Sequence, residues 1–241
     1  MIVEEKGEFV KDGILLKRYS LILHENVRYI VSLVNFFKNN IQNMKPLSFK
    51  GWKKKYIPFK IDKETKEMSG NYYVSSNSEQ VLKILKVINS KLPNIKTVVI
   101  DDMQYIMSYE FVDRATEVGY GKFSEIAQHM MDILRYSEQM RDDCTMCFLT
   151  HADNIGTEID PKYVIKTVGK LLSEKVTLEG LFTYIFFTKV EEGDDGKMQY
   201  KLVTNNDGKC LAKTPMGMFD ELEIDNDLNE ILKVIKEYNE E

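Results

Sequence analysis

The chain has 241 residues, 43% of them hydrophobic and 29% charged, which fits one large α/β domain or a domain with a small appendage. Its formal net charge of −5 excludes a globally basic nucleic-acid binder but leaves room for a local basic patch. Three cysteines, an odd number, argue for a reducing compartment over a disulfide framework.

From the amino terminus, Glu4, Glu5 and Glu8 precede any apolar run, unlike a secretory leader. The apolar stretch Tyr29 to Phe37 is too short to span a bilayer, so a cytoplasmic protein without a membrane is the expectation. Ile14 to Phe37 carries helix-compatible spacing without clear caps, and no glycine occurs between Gly13 and Gly51. A basic, aromatic loop follows from Phe49 to Lys60. Ser69-Gly70-Asn71 signals a turn into a strand at Tyr72-Tyr73-Val74. Ser76 to Glu79 reads as a helix start, with Val81, Leu82, Leu85 and Ile88 at helical spacing and Pro93 as the stop.

A strand is predicted over Thr97 to Ile100, then a loop or helix holding Met103, Tyr105, Ile106, Met107 and Phe111. Gly119 to Gly121 opens a long helix over about Lys122 to Arg141. Thr145 to Leu149 is the next strand, and a polar connection runs from about 152 to 165. Phe182 to Lys189 reads as a strong strand, with Gln199 to Thr204 pairing to it across a turn at Glu192 to Gly196. Leu228 to Tyr238 is an amphipathic closing helix. The order implies a parallel sheet with an antiparallel extension.

The most telling string is Thr97-Val98-Val99-Ile100-Asp101-Asp102, a β-branched run ending in two carboxylates. A strand of this kind, buried in a parallel sheet, delivers acidic groups to the sheet's carboxyl end. Two readings stand for the pair: carboxylates capping a buried strand, or the acidic half of a nucleotide site. The phosphate half is absent from the sequence. No G-x-x-x-x-G-K-[ST] occurs, and the Gly-Lys pairs at 121, 169, 196 and 208 are followed by Phe, Leu, Met and Cys.

Six strings belong together: Lys45 to Tyr56, Asn71 to Ser76, Val99 to Tyr105, Phe148 to His151, Thr167 to Leu172 and Ala212 to Phe219. As a set they resemble one family, the phage RecA-like ATPases that act as, or beside, single-strand annealing recombinases. The resemblance implies an α/β fold with a RecA-like P-loop NTPase core over residues 45–241. That core has a mainly parallel sheet, helices on both faces and a carboxyl-terminal antiparallel hairpin. Residues 1–44 would be a divergent segment in place of the P-loop strand and helix.

The resemblance further implies ATP and Mg²⁺ as cofactors, single-stranded DNA as partner and assembly with copies of itself. By it, Asp101 would orient Mg²⁺ through water and Asp102 or a neighbour would polarise the attacking water. Thr150 and His151 would sense the γ-phosphate, and Lys213 would reach a neighbouring subunit's nucleotide. The chain departs from the family over Leu21 to Lys38, where glycines and a lysine should cradle the phosphates. Retained ATP turnover is therefore not expected. An upstream frame change would explain the departure, and coding DNA lacking a P-loop string in another frame over residues 20 to 38 would refute it.

Each candidate also has a plainer reading. Thr150 and His151 can be a polar loop start, and Lys213 part of a loop closing the hairpin. His129 reads as a packed helix residue. Cys144 and Cys147 fall on opposite faces of a strand, which disfavours a zinc site. Lys50, Trp52, Lys53, Lys54, Lys55 and Tyr56 suit single-stranded nucleic acid, because ammonium groups meet phosphates while aromatic faces stack on bases. A solvated loop with tucked aromatics stands beside that reading. For the whole chain, the alternative is a non-catalytic interaction protein whose decayed site leaves a surface for a phage or host regulatory protein.

Overall fold

The computed structural model describes residues 27–32, 59–65 and 68–240. In chain order the elements are β1 (Val27–Ser32), β2 (Lys60–Ile61), β3 (Met68–Ser69), β4 (Tyr72–Val74), α1 (Ser78–Lys91) and β5 (Thr97–Asp101). Then come α2 (Gln104–Asp113), α3 (Gly121–Ser137), β6 (Thr145–Phe148), β7 (Ala152–Asn154) and β8 (Tyr163–Ile165). A π-helical turn (Leu171–Val176) and a 3₁₀ turn (Leu178–Leu181) lead to β9 (Phe187–Glu192), β10 (Met198–Val203), β11 (Glu223–Asp225) and α4 (Leu228–Glu240). No helix among the described residues is long and apolar enough to cross a membrane.

The fold is mixed α/β. Four parallel strands make the central sheet in the order β4-β1-β5-β6, and β9, β10 and β11 form a separate antiparallel sheet. β5 is buried along its whole length, as its unbroken β-branched run requires of a strand covered on both faces. Val98 and Ile100 join the main core together with residues of α1, α2 and α3. Leu85, Ile88, Ile95, Ile100, Met103 and Ile106 are its largest fully buried side chains. Each such residue stabilises the fold by roughly 1.5–3 kcal/mol relative to exposure.

Local chemistry sets the helix ends. The side chain of Asn77 accepts from Gln80 N at 2.9 Å and so caps α1, with Glu79 favourably placed in the first turn. The helix closes at Lys91, two residues before Pro93, whose ring disfavours helical geometry in the residue preceding it. Arg141 reinforces this end, donating to Ile88 O at 3.0 Å, which also accepts from Leu92 N, and to Ile95 O in the connection that follows. At the α2–α3 junction, buried Lys122 donates to the carbonyls of Arg114, Ala115 and Glu117 at 3.0–3.3 Å. Arg114 caps α2 and Ala115 and Glu117 follow it, so the one ammonium ties together the turn that connects the two helices.

Several expectations need correcting. The helix-compatible stretch 14–37 contains β1, whose Val-Arg-Tyr-Ile-Val-Ser sequence is β-branched and aromatic enough to pair on both sides. The rest of that stretch lies outside the described residues. The polar connection 152–165 contains the antiparallel pair β7–β8. Its turn passes so close to itself that a Cβ on Gly156 would sit 2.7 Å from Lys162 N. The strand expected over 182–189 begins only at Phe187, although Ile185 makes an isolated bridge to Lys213. The hairpin β9–β10 forms as expected, but in a sheet of its own and not as an extension of the parallel one. The long helix α3 ends at Ser137, short of Arg141.

Candidate functional site

The carboxyl ends of β5 and β6 meet at the α2 amino terminus. Leu149 N donates to Ile100 O at 2.9 Å, and Met103 N donates to Leu149 O at 2.8 Å, so the two strand ends are stitched together. In open parallel sheets this is where ligand crevices form. Asp101 is the last residue of β5 and is fully buried, paired through its backbone with Ser32 of β1. The next peptide bond, to Asp102, is cis.

Asp102 is also buried, and its Oδ2 lies 3.2 Å from Nε2 of His151. His151 is about half exposed, with a side chain 45% accessible, so the pair joins the interior to solvent. Burial pushes the Asp102 carboxyl up to about 6, and the neighbouring His151 opposes that rise through charge and hydrogen bonding. Tyr105 packs edge-on to His151 with ring centroids 6.1 Å apart, and stacks on Tyr109 at 5.6 Å. Thr150 donates its hydroxyl to the His151 carbonyl at 3.3 Å.

The structure thus brings together Asp102, Thr150 and His151, which share the wall of a cavity of about 600 Å³. Asp101 stands beside them on the strand but does not line that cavity. Lys213 does not line it either; its backbone is bridged to Ile185 in both directions at 2.8 and 2.9 Å. Lys50, Trp52, Lys53, Lys54, Lys55 and Tyr56 lie outside the described residues. His129 is a partly exposed tie between helices, with Nδ1 2.9 Å from the Glu110 carboxylate.

Two polar side chains escaped the sequence reading. Gln104, at the start of α2, is buried, and its Oε1 has no hydrogen-bond partner among the described residues. Asn226, between β11 and α4, is 6% exposed and lines the cavity, with Oδ1 in the same condition. Gln104 could have been suspected from its place two residues after a buried carboxylate. Asn226 gives no such signal, because its neighbours arrive from distant parts of the chain.

The residues present do not make a complete site for Mg²⁺ and ATP. Mg²⁺ takes oxygen ligands, commonly one or two carboxylates plus substrate phosphates, and of the two acidic residues only Asp102 lines the cavity. Among the described residues no group of three or more His, Cys, Asp and Glu could hold a metal ion by itself. No glycine-rich Lys-Ser/Thr loop exists in the sequence to hold phosphates. A hydrolysis step does not follow from these residues. Compared with known proteins, the chain matches no family model and no curated protein.

Proposed function

We propose that this protein is a DNA-recombination protein descended from phage RecA-like ATPases, with a RecA-like core and helices on both faces of its parallel sheet. In this reading it binds single-stranded DNA, assembles with copies of itself in the host cytoplasm and has lost ATP hydrolysis. The observation that supports the reading is the Asp102–His151 pair across the carboxyl ends of two adjacent parallel strands. An acidic group and a polar neighbour at that position are what a nucleotide site needs around its metal and terminal phosphate. The basic, aromatic segment from Lys50 to Lys60 supplies the DNA-binding side of the proposal.

A second reading, a non-catalytic interaction protein, is favoured by the missing phosphate cradle. Thermal-shift titration separates the two. A ligand that binds only the native state raises the melting temperature, by the equivalent of about 2.7 kcal/mol at 100 times its Kd. A shift with Mg²⁺ and ATP supports retained nucleotide binding. No shift, with oligo-dT still bound, supports a DNA-binding remnant. No response to either ligand overturns the recombination reading in favour of the interaction protein.

A further inference from the structure

The helix α4 lies over space and not over a filled core. Leu228, Ile231, Leu232 and Ile235 recur along one of its faces and line the cavity of about 600 Å³ beside Asp102. Of the four, Ile231 is buried, at 2% exposure, and the other three stay partly exposed. An apolar side chain that faces a gap lacks partner atoms on that side, so its contacts stabilise less than close packing does. No other helix or strand among the described residues packs extensively against α4. By contrast, α1 sends Val81, Ile84, Leu85 and Ile88 into the main core.

The two ends of α4 are held differently. At its start, Asn226 N donates to Tyr200 O at 3.2 Å, which joins the chain to β10 through the backbone. Asp227 then caps the helix: its Oδ1 accepts from Asn229 N at 2.9 Å, and its carbonyl accepts from Ile231 N at 3.2 Å. Near the other end, exposed side chains make the ties. Tyr238 donates its hydroxyl to Met216 O at 3.1 Å, and Tyr184, itself a lining residue, donates to Asn239 Oδ1 at 3.5 Å.

We propose that α4 is a lid over this cavity, hinged at Asn226–Asp227 and latched at Tyr238 and Asn239. Lifting it opens the way to the lining residues, Asp102 and His151 among them, and filling the space beneath it favours the closed position. Local opening is a property of elements with few buried apolar contacts, and gating elements are drawn from these. The inference uses none of the nucleotide chemistry and stands or falls apart from the recombination reading.

The test combines amide hydrogen exchange and cysteine alkylation on the full chain. Once lifted, a helix of 13 residues is too short to hold by itself in water. The α4 amides are therefore expected to exchange at least about tenfold faster than those of α1, at a rate that low urea leaves unchanged. Cys147 lines the cavity and is partly exposed, so its alkylation reports access without any substitution, and peptide mass separates it from buried Cys144 and Cys210. Leu232→Phe adds volume under the lid and is expected to slow α4 exchange and Cys147 alkylation together, by about threefold or more. Tyr238→Phe removes a latch hydrogen bond and is expected to speed both by a similar factor. Exchange of α4 that matches α1 in rate and urea dependence overturns the proposal, because the helix then opens only with the whole fold. Alkylation of Cys147 that ignores both substitutions overturns it too, since α4 is then a fraying end. Faster exchange in Leu232→Phe does the same, by showing that no space lies beneath the helix.

Discussion

Asp102 Oδ2 and His151 Nε2 stand 3.2 Å apart with very different access to water, the carboxylate buried and the imidazole half exposed. The carboxyl's proton affinity is raised by the fold, from 3.8 to about 6. Between those values the native state holds a proton that the unfolded chain has released. Stability is therefore fully supported below about pH 4 and declines as pH rises towards 6, by roughly 3 kcal/mol for this group alone.

Asp102→Asn removes that decline. The variant is expected to be more stable than the parent at pH 7 by roughly 1–3 kcal/mol and equal to it near pH 4. Urea unfolding across this pH range measures the difference. A parallel pair of curves would show that Asp102 does not titrate as the structure requires.

His151→Ala acts in the opposite sense on the same group. Without the opposing charge and hydrogen bond, the carboxyl rises further and the loss of stability extends to higher pH. The midpoint of the pH-dependent change should move up relative to the parent. An unmoved midpoint would mean that the two side chains are not coupled in solution.

Lys122→Met tests the junction between α2 and α3. The methionine keeps the apolar stem but leaves the Arg114, Ala115 and Glu117 carbonyls without their common donor. It also removes the ammonium 5.5 Å from the Phe111 ring and 5.8 Å from that of Phe123. A destabilisation of about 1–3 kcal/mol is expected from chemical denaturation. A change within the scatter of ordinary surface variants would count against the cap.

Gly156→Ala tests the β7–β8 turn, where the added methyl would press on Lys162 N and the Asp160 carbonyl. A cost of about 1–3 kcal/mol is expected, as for overpacking elsewhere. Exchange rates should rise in Ala152–Asn154 and Tyr163–Ile165 first, since that pair is the element strained.

The triple variant Lys53→Ala, Lys54→Ala, Lys55→Ala tests the proposed DNA contact. Each phosphate contact on a single strand contributes about 0.7 to the slope of log K against log salt, so losing three flattens the slope by about 2. Fluorescence anisotropy with oligo-dT at several salt concentrations gives that slope. Unaltered affinity and slope would remove these lysines from the interface.

What the sequence made legible was whatever depends on near neighbours. α1 was readable because its cap, its apolar spacing and its stop lie within about one helix length. β5 and the placing of Asp102 were readable because an unbroken β-branched run is buried on both faces and its end must emerge at the sheet's rim. β1 was not readable, because Arg28 interrupts its apolar pattern and its strand character comes from pairing with residues far along the chain. The β7–β8 pair was hidden because three-residue strands containing Asp153 and Asn154 carry almost no periodic signal. The cavity was invisible for a related reason, since β6, the Tyr184–Phe186 segment and α4 assemble it from well-separated stretches.

The position of β1 has a structural consequence. β4 and β5 do not touch in the sheet; β1 lies between them, matching Ile30 to Tyr72 on one side and to Val99 on the other. These matches span 42 and 69 residues of chain, and the neighbouring match of Val99 to Cys147 spans 48. Every strand pair of the sheet therefore closes a long loop, and none gives the sheet a local start. Without β1, β4 would have no strand among the described residues to hold it to the rest: the sheet has a keystone.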